Sequence, residues 1–298
     1  MMLFRSATLA GIALMVLGIF LFCCNDALGK WLLGTYTVWQ MLLIRSIAAL
    51  VILAPLMWRA GARALAAAPR PALQLLRVVM SVTESIMFFW AVTWLPLADT
   101  VTFYLAAPIY VTALSALFLK EPVGWRRWSA VIVGFVGVLI ALRPSAATLT
   151  WPALIAITGS LFFSVFLITT RMLRGTHDVV LVSGTFAAML AVSGAVAPLA
   201  WVAPSARDFA LMLLLGLVAM LAFACINRSL KLAPASVVVP YQYTMIVWAV
   251  ALGFLVFGDV PDAFTLAGAA IIVAAGLYIL WREQIVARRE PVVAEPVA

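Results

Sequence analysis

The feature that most constrains this chain is a series of apolar runs, each about twenty residues long, separated by short polar segments. A helix of that length crosses a hydrocarbon core about 30 Å thick, because it rises about 1.5 Å per residue. The runs lack the alternation of a transmembrane strand. The chain is 66% hydrophobic and only 10% charged, whereas soluble domains carry about 25% charged residues. The sequence therefore predicts an all-α polytopic membrane protein.

Charges, prolines and glycines divide the sequence into ten predicted transmembrane helices. They run approximately over residues 7–28, 36–57, 73–95, 99–119, 126–143, 151–171, 179–200, 208–229, 235–257 and 264–282. The apolar stretch after Arg5 resembles a signal peptide, but no cleavage site stands out, and we interpret it as a retained first helix. Most of the 19 Lys and Arg residues fall in the loops of one side. Because cytoplasmic loops are enriched in positive charge, this predicts an inner-membrane protein with both termini in the cytoplasm.

The two halves of the sequence share weak but parallel signals. "APLMW" ends the second span and "APLAW" ends the seventh, while Glu121 and Asp259 follow the fourth and ninth spans at matching positions. These matches in register indicate a duplication. Because each half has five spans, the halves must enter the membrane in opposite senses, as in transporters built from inverted repeats. The predicted units are residues 1–145, 146–284 and a mobile cytoplasmic tail, 285–298.

Long segments resemble one known family. "LPLADTVTFYLAAPIYVTALSALFLKEPVGWRRWSAVIVGFVGVLIALRP" resembles the end of the first half of EamA-type proteins of the drug/metabolite transporter superfamily. "VFGDVPDAFTLAGAAIIVAAGLYILWRE" resembles the end of their second half, and "NDALGKWL" followed by Gln40 and Arg45 resembles the start of one subset. The resemblance covers about residues 5–284. It implies ten helices in two inverted five-helix repeats and movement of small metabolites, often outward.

Three charged residues lie well inside the second and third predicted spans, where a charge needs a partner, a water-filled cavity or a route to the interface. Glu84 on span three and Arg45 on span two both fall near mid-depth, and we expect them to pair. The pair could be a structural strut or could line a substrate pathway. Arg77 lies one heptad before Glu84, near the same helix face, and close enough to the inner surface to snorkel.

Polar residues near the end of span one form a second candidate group. Asp26 and Lys30 have the favourable acid-then-base spacing of one helical turn. They could form an exposed pair at the outer interface, or Asn25 and Asp26 could face an outer vestibule and contact substrate. Gln40 belongs to the candidate pathway through the family resemblance.

Span nine contains "PYQYTMIVW", in which Pro240 removes a backbone donor. Freed carbonyls beside polar and aromatic side chains suit a substrate site if they line a cavity. The candidates that share this chemistry, with packing as the alternative for the aromatic residues, are Tyr104, Asn227, Tyr241, Gln242, Tyr243 and Trp248.

The sequence predicts no enzyme, cofactor or metal site. Its three cysteines offer no disulfide framework, and small apolar filler is the favoured interpretation over a soft-metal site at Cys23–Cys24. The single histidine, His177, lies in a predicted loop and cannot build a zinc site alone. The net charge of +8 reflects loop arginines rather than a nucleic-acid surface. Small residues on span five, including Ala130 and Gly134, allow close helix approach within a monomer or a homodimer.

These observations predict a secondary transporter of small metabolites that works by alternating access. The leading hypothesis is export of an amino-acid-like or amphipathic metabolite, with possible proton or counter-substrate coupling. The alternative within this class is uptake of a vitamin or nucleoside-type cofactor such as S-adenosylmethionine or riboflavin. A membrane-embedded enzyme would need a convergent polar cluster at one interface. A scaffold or assembly subunit would leave no internal cavity.

Overall fold

The computed structural model describes residues 2–61, 70–95, 97–121, 123–142 and 150–257, together with scattered positions between 263 and 278. The first half contains α1 (Met2–Leu33), α2 (Val38–Ala60), α3 (Pro71–Trp94), α4 (Leu97–Tyr104), α5 (Ala107–Leu114) and α6 (Trp125–Leu142). The second half contains α7 (Trp151–Met172), α8 (Asp178–Val196), α9 (Ala206–Leu232), α10 (Ala235–Val238) and α11 (Met245–Leu252).

The described residues confirm a polytopic helical membrane protein. Among them, seven helical segments are long and apolar enough to cross a membrane. Helices also occupy the fourth and fifth predicted spans, the fourth in two pieces. The tenth predicted span, 264–282, lies largely outside the described residues, as do Asp259 and the tail. The prediction of ten helices therefore stays a prediction.

Local sequence signals account for the helix ends. Thr37 accepts a hydrogen bond from the Gln40 amide at 3.2 Å and so caps α2. Ser205 caps α9 in the same way by accepting from the Asp208 amide. Pro71 and Pro152 lie in first turns, where a missing amide hydrogen leaves no bond unmade. Gly61, at φ +80°, stops α2.

Two spans are broken near prolines, one in each half. The chain bends between Tyr104 and Ala107, just before Pro108, and it passes through a 3₁₀ segment, Val239–Thr244, that contains Pro240. A proline removes a backbone donor, so a regular α-helix cannot continue through either position. Both broken spans end in a five-residue π turn, Ser115–Leu119 and Gly253–Phe257. These breaks bring side chains of α4 and of the 3₁₀ segment toward the middle of the bundle.

The helices of the two halves are interleaved. α1 packs along α9, α3 packs along α7, and α2 packs against both α8 and α9. Gly216 on α9 makes the last contact possible, because a Cβ there would lie 2.5 Å from the Arg45 carbonyl oxygen of α2. The apolar core runs continuously through both halves. A space in the middle of the bundle is consequently enclosed by helices from both halves.

Candidate functional site

A cavity with polar groups in a mostly apolar wall lies between α1, α2, α3, α4, α7 and α11 and the 3₁₀ segment after α10. The space between its atoms, including its open mouth, is about 580 Å³. Six of the residues predicted from the sequence line it: Asn25, Asp26, Arg45, Glu84, Tyr104 and Gln242. The structure thus brings together candidates from five separate segments.

Three ionisable side chains meet at this cavity and are almost completely shielded from solvent. Asp26 from α1, Arg45 from α2 and Glu84 from α3 have exposures of 6%, 2% and 7%. Asp26 is therefore not half of an exposed interfacial pair with Lys30, and that interpretation is wrong. Its carboxylate instead accepts a hydrogen bond from Asn25 at 3.2 Å. Two carboxyl groups and one guanidinium thus share one enclosed space.

Arg45 and Glu84 line the same cavity but do not touch. The ion pairs among the described residues join Arg171 to Glu121, and Arg228 and Lys231 to Asp178. The Arg45 guanidinium lies over the rings of Phe89 and Phe186, at 5.6 and 6.0 Å from their centroids. The expected direct pair is therefore replaced by a separated one.

Aromatic side chains form much of the remaining wall. Phe22, Phe88 and Phe163 line the cavity together with Tyr104. The Tyr104 hydroxyl donates to the backbone carbonyl of Glu84 at 3.1 Å, and its ring meets Phe88 edge-on. Tyr104 fits there because Gly159 on α7 has no side chain to fill the same space. An enclosed site with charges at its edges and aromatic faces between them can bind an organic ion strongly.

The other predicted residues lie elsewhere. Gln40 exchanges two hydrogen bonds with the backbone of Val202, so it ties α2 to the segment before α9. Tyr243 donates to the Val131 carbonyl at 3.1 Å and packs on Gly134, so a small residue of α6 admits this ring. Tyr241 is buried in the core, and Trp248 packs edge-on against Phe20. For these residues the structure favours packing and helix–helix contacts.

Arg77 is fully buried, so its expected snorkelling to the surface is wrong. It donates to Thr170 at 2.8 Å, to the Leu181 carbonyl at 2.9 Å, and to Thr185 and Asn227 at 3.2 Å each. These acceptors belong to α7, α8 and α9, whereas Arg77 belongs to α3. Neutral hydrogen-bond acceptors on the neighbouring helices lie beside Arg77, and they keep its guanidinium inside the helical bundle.

Polar contacts tie together the end of the bundle that carries the turn between α7 and α8, which we call the α7–α8 end. Arg171 contacts Glu121 at 3.2 Å and donates to the Leu230 carbonyl at 2.8 Å. Glu121 also accepts from the amides of Ala235 and Ser236 at the start of α10. Together with those of Arg77, these contacts link α3, α7, α8, α9 and α10 at this end of the bundle.

A smaller space lies toward the opposite end, which carries the turn between α1 and α2 and is called the α1–α2 end. It holds about 260 Å³ between atoms and is lined mainly by apolar residues of α1, α4 and α11. Asp26 and Met245 line both spaces and so separate them. At the same end, Tyr36 donates to Asp208 at 2.7 Å. Because this hydrogen bond needs the protonated phenol, it raises the pKa of Tyr36 above its ordinary value.

Sequence reasoning missed several lining residues. Ser85, Phe88 and Phe89 follow Glu84 on the same face of α3, and the helical spacing of one to five residues from a buried charge could have identified them. Nothing in the sequence pointed to Phe163 of α7, since its place depends on how α7 packs along α3. The Glu121–Arg171 contact joins residues 50 positions apart and likewise had no sequence signal.

An interleaved helical bundle around an internal cavity with charged residues is an arrangement that membrane transporters for small molecules use. The EamA-like transporter family matches residues 9–143 and 150–281, and the chain belongs to that family. The fold is also that of a solved crystal structure, with a TM-score of 0.75 and 17% identity, over 96% of this chain and 99% of the other.

Three curated relatives carry different transport names. The S-adenosylmethionine uptake transporter of Rickettsia felis is 24% identical over 277 residues, covering 93% of this chain and 94% of that protein. The pseudopaline exporter CntI of Pseudomonas aeruginosa is 30% identical over 272 residues, covering 89% and 94%. The riboflavin transporter of Vibrio cholerae is 28% identical over 258 residues, covering 83% and 84%. Family and relatives thus indicate a small-molecule transporter rather than an enzyme.

Proposed function

We propose that this protein is a secondary transporter of the inner membrane that moves an amino-acid-like metabolite by alternating access, with the central cavity as its substrate site. The observation that carries the proposal is the meeting of Asp26, Arg45 and Glu84 at one enclosed space between the two halves. Charges at this depth are costly to bury, so they are expected where a substrate or ion passes.

Opposed repeats provide the physical basis for alternating access. The family matches the chain twice, once in each half, and the packing of α1 on α9 is mirrored by that of α7 on α3. The broken spans with their terminal π turns also correspond. These features support two inverted five-helix repeats, 1–145 and 146–284, that rock against one another around the cavity. We propose that the contacts at the α7–α8 end keep the present arrangement closed there, and that this end is cytoplasmic together with both termini.

Export is the direction that we propose. A second candidate, uptake of a nucleoside-type cofactor or vitamin, is favoured by the names of the relatives from Rickettsia felis and Vibrio cholerae. The rival hypothesis of a scaffold subunit predicted no internal cavity, and the charged cavity argues against it. Coupling to a proton or a counter-substrate remains part of the proposal, since two carboxyl groups line the site.

Flux in proteoliposomes tests the proposal. A counterflow screen of amino acids, purines, vitamins and cationic drugs should yield a transported compound, and Glu84→Gln and Arg45→Ala should each reduce its flux at least about tenfold, since a charged hydrogen bond is worth about 1.5–3 kcal/mol. Arg59→Ala, at the exposed end of α2, is the matched control and should transport normally. Normal flux in both cavity variants would show that the cavity is not the pathway.

Right-side-out and inverted membrane vesicles distinguish the two directions. Net accumulation of the compound only in inverted vesicles would support export. Accumulation only in right-side-out vesicles would establish the uptake candidate instead. Reporter tags at the two termini test the topology, and tags on opposite faces of the membrane would contradict the inverted repeat.

A further inference from the structure

The central cavity contains buried hydrogen-bonding atoms that the protein itself leaves unused. Arg45 Nε and Gln242 Nε2 are donors without a partner, and Glu84 Oε2 and Asn25 Oδ1 are acceptors without a partner. All four side chains line the cavity, and each is at least 93% shielded from solvent. A buried polar atom left unpaired costs about 1–3 kcal/mol, and more when it is charged. Such a group of unpaired atoms around one space indicates a ligand that pairs with them.

The unpaired atoms are two donors and two acceptors. One donor belongs to a charged residue, Arg45, and one acceptor belongs to a charged residue, Glu84. The donors are an arginine and an amide, which suit an anionic group. The acceptors are a carboxylate and an amide oxygen beside a second carboxylate, Asp26, which suit a cationic group. We propose that the cavity binds a dipolar small molecule, with its carboxylate beside Arg45 and its cationic group beside Asp26 and Glu84.

The separation of the charges explains why the ligand must be dipolar. If Arg45 and Glu84 were a structural strut, the guanidinium would contact the carboxylate directly. Instead the guanidinium rests against the rings of Phe89 and Phe186, and among the described residues it donates no hydrogen bond. A ligand with both charges would pair with Arg45 through its anionic group and with the carboxyl groups through its cationic group. A ligand with a single charge, or a neutral planar one, would leave buried charge unpaired.

The carboxyl groups outnumber the guanidinium, and this affects the preferred net charge. Two acidic side chains and one basic side chain favour a ligand with more positive than negative charge. The rings of Phe22, Phe88 and Phe163 add favourable faces for a cation and for an apolar body. The ligand class is thus an amino-acid-type molecule, with an added cationic centre preferred over none.

This inference rests on the proposed function, but binding can be measured without transport. The experiment uses the full chain in lipid nanodiscs and measures dissociation constants by titration. One probe set is L-phenylalanine with phenethylamine and 3-phenylpropionate, which each lack one of its charges. A second set is S-adenosylmethionine with the uncharged 5′-methylthioadenosine, and riboflavin serves as a neutral planar compound.

At least one dipolar probe should bind about tenfold or more tightly than its analogues, since each lost charged hydrogen bond is worth about 1.5–3 kcal/mol. Arg45→Gln should weaken the dipolar probe about tenfold and leave phenethylamine unchanged. Glu84→Gln should weaken the dipolar probe and phenethylamine, and leave 3-phenylpropionate unchanged. Arg45→Lys, which keeps the charge, should recover part of the binding. Arg59→Gln is the matched control, and size-exclusion profiles confirm that each variant is folded.

Equal binding of dipolar and single-charge probes, preference for riboflavin, or no binding of either dipolar probe would overturn the inference. If Arg45→Gln lost binding of both the dipolar probe and phenethylamine, the inference would also be overturned. The guanidinium would then stabilise the fold and would not bind the ligand's carboxylate. Flux measurements distinguish the proposed transport function from the proposed dipolar ligand. Selective dipolar binding without any flux would sink the transport function alone, whereas flux of a neutral compound would sink this inference alone.

Discussion

Arg77 offers the sharpest test of how the α7–α8 end is closed. Its guanidinium donates four hydrogen bonds to groups on α7, α8 and α9, at 2.8 to 3.2 Å. At about 1.5 kcal/mol each, these bonds are worth about 6 kcal/mol. Burying the guanidinium without a contacting carboxylate costs several kcal/mol in return. The net stabilisation of the closed end is thus about 2–3 kcal/mol.

Arg77→Met should remove that stabilisation while filling much of the same space. A change of about 2–3 kcal/mol shifts the ratio of open to closed forms about 30- to 150-fold. The shift can be measured through Ser81→Cys, one turn further along α3 and now buried, in a background that lacks the three native cysteines. Labelling by an impermeant maleimide from the α7–α8 side should accelerate by a comparable factor.

The matched control is Arg70→Met, at the start of the same helix. Arg70 is exposed and makes one long contact, at 3.5 Å to the Met172 carbonyl, so its loss should change labelling little. Equal labelling rates in Arg77→Met and the parent, in protein that remains folded, would refute the idea that this network closes the bundle. Faster labelling in both variants would point to a general loosening instead.

Three further substitutions probe the framework of the site. Gly216→Ala should destabilise the protein by about 1–3 kcal/mol, because its Cβ would press on the α2 backbone. Gly175→Ala, where a Cβ would meet nothing within 4 Å, is the control and should not destabilise it. Equal melting temperatures of the two variants in thermal unfolding would contradict the close approach of α9 to α2. Tyr104→Phe should lose about 0.5–1.5 kcal/mol by removing the hydroxyl that donates to the α3 backbone, and an unchanged melting temperature and flux would show that this bond is unimportant. Glu121→Gln should cost about 1–3 kcal/mol because Arg171 loses its carboxylate, and an equal or higher melting temperature would show that the ion pair does not stabilise the fold.

Hydropathy and turn residues specified the helices well because each signal is local. The sixth span, predicted over 151–171, is the helix Trp151–Met172, and Thr37 and Ser205 act as ordinary caps. The duplication suggested by "APLMW" and "APLAW" stays a prediction. Residue counting placed Arg45 and Glu84 at similar depths in neighbouring spans, so their place at one cavity could be anticipated, whereas the position of Tyr104 beside them could not.

Side-chain direction and partner choice could not be read in the same way. Asp26 and Arg77 each had a plausible polar route outward, but the structure turns both inward, because helices from the other half cover them. Gln40 and Tyr243 looked like cavity residues and instead bond to backbone groups of distant segments. The direction and the hydrogen-bond partners of these side chains depend on which helices pack together, and helix packing could not be predicted from one sequence.

The interleaving of the halves has a consequence for how the protein is made. During synthesis α1 and α3 enter the bilayer long before α9 and α7, against which they pack. Until those helices arrive, Arg77 lacks the acceptors of its hydrogen bonds and Glu84 lacks part of its shielded surroundings, and lipid or the insertion machinery must tolerate both charges. We therefore expect that the first half does not fold stably without the second. Two separately expressed halves should each be degraded unless they assemble in the same membrane.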